Sequence, residues 1–418
     1  MARRAMPEKR KAFPRKTGYI LALLILALVT GAFFLMLIVT DILPSDLTVI
    51  LAVAVIALLL LTNFMFASRY RWKRLIGILL SLVLVLILSS VTVFMGETYS
   101  MLNSISGGKG HAADTGPAAK KAAVTEEPFN IYITGIDQWE SEKGLDLERS
   151  DVNMIITVNP VTKKVLLTSI PRDAYVKLHT VQQMDKLTHT GVYGVDETIY
   201  TVEDWLGVDL NYYVKMNFSA AVEIIDALGG IKVYSPVAFE SSLKGYKYKK
   251  GWNYLGGYKA LYFARERHAF EGQDSIRVEN QQRVVKAIIK KMTSSTALLT
   301  NYGDVMNAAS RNMVTNMSSE EMQALAKMQL TDLSEWDVRS QKMSGEYGED
   351  YVASLTQSQK FSVYYVDPES EQKCKEAIGD IMNPSVAELE QAEENSRKGF
   401  LTNALYRILD KIREKTGH

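Results

Sequence analysis

The stretch FNIYITGIDQWESEKGLDLERSDVNMIITVNPVTKKVLLTSIPRD, residues 129–173, holds three short runs rich in branched apolar residues. Phe129–Ile136, Val152–Val158 and Val165–Ile170 have strand length, and the second and third are joined by a turn at Asn159-Pro160-Val161-Thr162. They read as buried central strands. Further along, Asp196–Leu206 predicts a helix closed by Gly207, Tyr212–Phe218 a strand, and Ser219–Leu228 a helix with Ser219 as N-cap and Gly229-Gly230 at its end. Ile231–Tyr234 returns as a strand, and Ser275–Met292 is a long helix. Two or three more helices and a strand at Phe361–Val366 are expected before residue 383. Alternation of this kind predicts an α/β fold: an α-β-α layered domain over residues 129–383 around a central mixed sheet. Val386–Glu414, within a C-terminal segment 384–418, reads as an amphipathic helix whose Leu389, Phe400, Leu401, Leu405 and Ile408 are expected to pack on the domain.

Upstream the character changes. Residues 19–39, 47–67 and 75–95 carry no charged side chain, and each is about as long as a bilayer-crossing helix. Two further runs after the first, and no small-residue cleavage pattern, argue against a signal peptide. The tail 1–18 bears Arg3, Arg4, Lys9, Arg10, Lys11, Arg15 and Lys16, and the second connector Arg69, Arg71, Lys73 and Arg74, whereas the first connector has only Asp41 and Asp46. The positive-inside rule then predicts a cytoplasmic N-terminus and an extracellular position for everything after about Gly96. Residues 96–128 read as a linker; Gly107-Gly108-Lys109-Gly110 lacks the spacing and following Ser/Thr of a phosphate loop. An outside location excludes nucleic acid and cytosolic ATP as ordinary partners, and the net charge of +1 offers no polyanion signal. A single cysteine, Cys374, forbids an internal disulfide, which suits a bacterial envelope.

Four segments place charge at predicted strand and helix ends: Gly135-Ile136-Asp137, Arg149-Ser150-Asp151, Ile170-Pro171-Arg172-Asp173, and Arg265-Glu266-Arg267 followed by Asp274, Arg277 and Gln281. Singly, each is an ordinary surface ion pair. Together, Asp137, Asp151 and Asp173 would meet on one rim of the sheet, where carboxylate oxygens suit Mg²⁺ or Mn²⁺. Arg149, Arg172, Arg265, Arg267 and Arg277 would form a cationic cage, since guanidinium forks bind phosphate oxygens bidentately and stay charged when partly buried. Arg277 and Gln281 lie four apart near a helix N-terminus, where the dipole favours an anion. A metal with several arginines is equipment for phosphoryl transfer.

These residues occur within an ordered series: Asn-Ile-x-x-x-Gly-x-Asp, Arg-Ser-Asp, Ser-Ile-Pro-Arg-Asp, Lys186, Val-Glu-x-x-Leu-Gly, Tyr-Tyr-x-x-x-Asn-Phe, Asp-Ala-Leu-Gly-Gly, Ala-Arg-Glu-Arg and Asp-x-x-Arg-x-x-x-Gln-Gln. The series closely resembles the LytR-CpsA-Psr family from about Asn130 to Lys291, with similar features to about residue 382. The resemblance implies an α/β/α fold that holds polyprenyl pyrophosphate in an apolar tunnel and transfers a glycosyl phosphate to a peptidoglycan hydroxyl. It implies Mg²⁺ on Asp137 and Asp151, and phosphate binding by Arg149, Arg172, Asp173, Lys186, Arg265, Arg267, Arg277 and Gln281. Asp137, Arg149, Arg172 and Arg267 are the expected catalytic set, with Asp137 the candidate base or a metal ligand alone. Asn280 stands where the family pattern usually has arginine, and three spans resemble the capsule-type members rather than the common single anchor.

Other chemistries fit less well. Ser241-Ser242-Leu243-Lys244 and Lys415-Thr416-Gly417 have penicillin-binding spacing, but the first runs into a hairpin-like Tyr/Lys segment, 245–251, and the second lies at the chain's end. That segment reads as a solvated edge, with membrane-phosphate or acidic-polymer contact as the alternative. The histidines show no zinc spacing. A polyprenyl-pyrophosphate phosphatase and a non-catalytic lipid-binding regulator remain as alternatives. Capsular polysaccharide, teichoic acid and other wall glycopolymers are all open as cargo.

Overall fold

The computed structural model describes residues 15–40, 45–106, 117–136, 150–267, 269, 273–294, 301–332, 334–355 and 358–397. The chain divides into two compact units, Met1–Tyr99 and Ser100–His418. In the first, helices α1 (Arg15–Thr40), α2 (Ser45–Ala67) and α3 (Arg71–Ser106, which runs into the second unit) each contain a stretch long and apolar enough to cross a membrane. Leu26, Phe33, Leu84 and Leu88 pack inside this unit, while Leu28, Ile38 and Leu86 face outward, a surface suited to lipid.

The second unit is built on strands β1 (Phe129–Ile136), β2 (Ser150–Asn159), β3 (Lys164–Ile170), β4 (Tyr175–Lys177), β5 (Met184–Lys186), β6 (Tyr212–Met216), β7 (Ile231–Ser235), β8 (Phe239–Glu240), β9 (Lys247–Tyr248), β10 (Gly251–Leu255), β11 (Met313–Thr315), β12 (Asp337–Lys342), β13 (Gly345–Asp350) and β14 (Phe361–Val366). Its helices are α4 (Val195–Leu206), α5 (Phe218–Ala227), α6 (Gly257–Arg265), α7 (Gln273–Met292), α8 (Tyr302–Asn312), α9 (Ser319–Asp332), α10 (Pro368–Met382) and α11 (Val386–Arg397). Six strands form a mixed sheet in the order β11-β6-β1-β2-β3-β12. β1 runs parallel to β6, β3 parallel to β12, and β2 antiparallel to both β1 and β3. The ends of β1, β3, β6 and β12 and the start of β2 therefore share one edge, as the pairs Ile136↔Ser150 and Gly135↔Met216 show.

Side chains alternate across the sheet with period two. Tyr132, Ile155 and Ile170 pack on one face with Val202 and Leu206 of α4 and Cys374 and Ile378 of α10. Phe129, Met154, Ile156 and Leu167 face the other way, towards α9. Helices thus cover both faces, the layered α/β arrangement expected from the sequence. α5, α6, α7 and α8 share a third core with β7 and β10, in which Ile225, Val233, Phe263 and Val305 are buried. α6 approaches α5 so closely that a Cβ at Gly257 would lie 2.3 Å from the Val222 carbonyl oxygen.

Several local expectations change. The cap of α5 is Asn217, whose side chain accepts from the Ala220 amide, not Ser219, and the preceding strand stops at Met216. Gly207 does close α4, at φ +65. β12, with sequence DVRSQK, joins the sheet edge although it has too few apolar residues to read as a strand. Val386 and Leu389 of α11 are exposed rather than packed, and an ion pair from Glu388 to Lys164 ties that helix to β3. Phe400, Leu401, Leu405 and Ile408 lie outside the described residues.

Candidate functional site: a greasy hollow with an arginine rim

Between the sheet and α5, α7, α8 and α9 lies a cavity of about 650 Å³. Its floor includes Ile131, Ile133 and Val214 from β1 and β6, in the middle of the sheet. Residues so placed are normally sealed, yet these three are only half-buried, because the hollow rather than a packed helix stands over them. α7 supplies the clearest thread. Arg277, Gln281, Val284, Ile288 and Met292 all line the cavity, at spacings of four, three, four and four, which is one stripe of a helix. The stripe begins charged and continues apolar. From Arg277 to Met292, 15 rises of 1.5 Å, the cavity follows the helix for about 22 Å.

The polar end sits on the sheet edge where β1, β3 and β6 finish. Asp151 arrives at the start of β2 and Arg172 just after β3; their side chains form an ion pair through Arg172 Nη1 and Asp151 Oδ1. Arg265 ends α6 and its guanidinium lies 4.3 Å from the Phe218 ring centroid, a cation–π contact that holds it over the mouth. Arg267 and Arg277 complete the rim, with Gln281 one turn deeper. Among the described residues, four guanidinium groups face one carboxylate, Asp151, beside the N-termini of α5 and α7, which makes this end attractive to an anion.

Asp173 and Lys186 are not among the lining residues. They stand behind Arg172: Asp173 Oδ2 lies 3.4 Å from Arg172 Nε, and Asp173 Oδ1 lies 3.5 Å from Lys186 Nζ. Asp173 thus contacts Arg172 directly, and Lys186 reaches it through Asp173. Asp137 and Arg149 lie outside the described residues. Asn280 is 1% exposed and does not reach the cavity; its Oδ1 accepts from Arg283 Nη1 at 2.7 Å. Among the described residues no cluster of three His, Cys, Asp or Glu side chains is arranged to hold a metal. Asp151 at the rim is nevertheless a hard oxygen donor of the type Mg²⁺ accepts when substrate phosphates supply further ligands, so the donor chemistry fits the ion.

Val284, Ile288 and Met292 carry no charge to mark them as site residues in the sequence, although they share the helical phase of Arg277. Ser242 and Leu243, which line the mouth from the β8–β9 hairpin, carry no signal there beyond the Ser-x-x-Lys spacing. The Ser241 amide donates to the Tyr246 carbonyl at 2.8 Å, next to the Glu240–Lys247 pair, so the segment closes a hairpin rather than starting a helix.

A LytR_cpsA_psr family model matches residues 98–378. The chain is 37% identical over 197 residues to a protein of Bacillus anthracis named polyisoprenyl-teichoic acid–peptidoglycan teichoic acid transferase TagU; the match covers 47% of this chain and 63% of that relative, under two thirds of its length. A protein of the same name from Enterococcus faecalis is 31% identical over 258 residues, 61% of this chain and 82% of the relative. The solved structure described as TagT bound to LIIa-WTA superposes with a TM-score of 0.51 at 26% identity, covering 65% of this chain and 99% of that one.

Proposed function

The chain belongs to the LytR-CpsA-Psr family, and from that membership we propose that it transfers a phosphate-linked glycopolymer from a polyprenyl-pyrophosphate carrier to a hydroxyl of peptidoglycan. One observation carries the reading: a single cavity follows α7 for about 22 Å, is apolar from Val284 onward, and ends at four arginines and Asp151. An isoprenoid tail matches the first part, a pyrophosphate the second. The names of the two relatives, which join polyisoprenyl-linked teichoic acid to peptidoglycan, support this substrate class. A soluble sugar nucleotide would leave the apolar walls without a purpose.

In the proposed reaction the acceptor oxygen attacks the phosphorus bearing the glycan. A new O–P bond forms, the P–O–P bridge breaks, the acceptor proton passes to a base, and polyprenyl phosphate leaves. Arg172, Arg265, Arg267 and Arg277 would hold the non-bridging oxygens and offset the charge that grows on the bridge. The Asp173–Lys186 pair behind Arg172 limits its freedom to swing with the Asp151 partner. Mg²⁺, when bound by Asp151 with Asp137 and the phosphates, would supply further neutralisation of the same charge. The three apolar helices hold the enzyme in the membrane that contains its lipid substrate, and the flanking arginines and lysines favour a catalytic unit on the outer side. Capsular polysaccharide and teichoic acid share the pyrophosphate linkage and are equally compatible with the mouth.

The test is turnover of lipid-linked glycan by the full-length protein with and without a peptidoglycan acceptor. Arg267→Ala and Asp151→Ala should each lower the rate about 100-fold or more, the scale of removing one transition-state charge partner. Near-normal rates in both variants would end the proposal, while equal phosphate release without acceptor would point to a phosphatase.

A further inference from the structure

α6 ends at Arg265, and the next residue, Glu266, has extended backbone angles, φ −65 and ψ 130. Arg265 and Arg267, on either side of it, both line the cavity, while Glu266 does not and is 0% exposed. A buried carboxylate is costly unless its oxygens are matched. Here they are: Glu266 accepts from the Ser242 amide at 2.8 Å, the Ser242 hydroxyl at 3.0 Å, the Arg267 amide at 3.1 Å and the Ala269 amide at 3.0 Å. Burial alone would raise its pKa, and these donors more than reverse that, holding it below the usual glutamate range. Two of the donors belong to the hairpin tip whose Ser242 and Leu243 also line the mouth.

We infer that Glu266 is the positioning residue of the cavity mouth: one carboxylate fastens the Arg265–Arg267 turn to the Ser242–Leu243 lip, so that two guanidinium groups meet the lipid's pyrophosphate at a fixed separation from the apolar wall. The inference rests on the reading that this mouth binds pyrophosphate. Glutamine has nearly the same shape but brings an NH₂ group against N–H donors, so Glu266→Gln loosens the turn without emptying the space. Serine 242 contributes the hydroxyl, and Ser242→Ala removes that one donor alone.

The experiment measures binding of geranylgeranyl pyrophosphate and of geranylgeraniol, which lacks the phosphates, to full-length protein in nanodiscs. Glu266→Gln should weaken the pyrophosphate ligand about tenfold or more, as expected when hydrogen bonds to a charged group are lost, and leave the alcohol unchanged. Ser242→Ala should show a smaller loss for the same ligand only. In an Arg265→Ala/Arg267→Ala background Glu266→Gln should have little further effect, because coupled residues are non-additive. Wild-type affinity in Glu266→Gln, equal loss for both ligands, or an undiminished loss in the arginine-free background would overturn the inference. A wild-type protein indifferent to the pyrophosphate, or an Arg267→Ala variant that binds it normally, would instead remove the reading beneath.

Discussion

Val214 offers a direct test of the hollow. It sits on β6 opposite Ile133 of β1, and both look into the cavity from the middle of the sheet. Val214→Trp would place an aromatic ring where the isoprenoid is proposed to lie, in a residue type that strands accept well. An aromatic side chain occupies roughly 150–250 Å² of contact surface, which the lipid would forfeit. At about 25 cal/mol per Å² this is a ceiling of roughly 4–6 kcal/mol. A flexible chain in a 650 Å³ space reroutes around part of the obstacle. Recovery of about half leaves a loss of about 2–3 kcal/mol, or roughly 30- to 150-fold in affinity. Stability should move the opposite way. Enlarging a residue in a filled core usually costs about 1–3 kcal/mol, but here the added ring buries apolar surface against walls that lack a neighbour, so the melting temperature should hold or rise. Isothermal titration with geranylgeranyl pyrophosphate and a thermal melt, both on full-length protein in nanodiscs, give the two readings. Unchanged lipid affinity with an intact melt would show that the tail lies elsewhere; a sharply lowered melting temperature would show that the space is not a true hollow.

Gly257→Ala should destabilise the second unit by about 1–3 kcal/mol, because its Cβ would collide with the backbone oxygen of Val222, and a thermal melt would register the fall. Burial raises the Cys374 thiol to about 11, so iodoacetamide at pH 8 should modify it only as the chain unfolds; fast labelling of native protein would contradict its place between α10 and the sheet. Asp185 is fully buried, a condition that raises its pKa, but hydrogen bonds from the His189 ring, the Ser354 hydroxyl and the Lys186 and Ser354 amides hold it below the ordinary 3.8. Its stabilising contribution is therefore complete above pH 3.8 and lost as pH falls through the lower folded value, so Asp185→Asn should flatten the acid side of the stability profile. An unchanged acid limb in that variant would show that this carboxylate does not govern it.

The class of the fold was readable because its central strands and crossover helices differ in period and are punctuated by Gly and Pro. β1, β2 and β3 fall within a residue or two of the expected runs, as does α7. β12 was not readable, since an edge strand pairs through its backbone and needs few apolar side chains. Nor was the cap of α5, where Asn217 and Ser219 are both good capping residues and only the backbone turn selects between them.

By itself the sequence determined the three apolar spans, the alternating α/β pattern and the identities of the charged residues. Residue types and local periodicity carry that information without reference to distant partners. Tertiary structure alone decided which charges face the cavity. Asp151, Arg172, Arg265, Arg267 and Arg277 share a rim because antiparallel β2 brings its start to the edge where β1, β3 and β6 end, whereas Asp173 and Lys186 stand behind it. The hollow is equally invisible in one dimension. Ile133 and Val214 have the composition of sealed core, and only the standoff of α5, α7, α8 and α9 from the sheet leaves them facing open space.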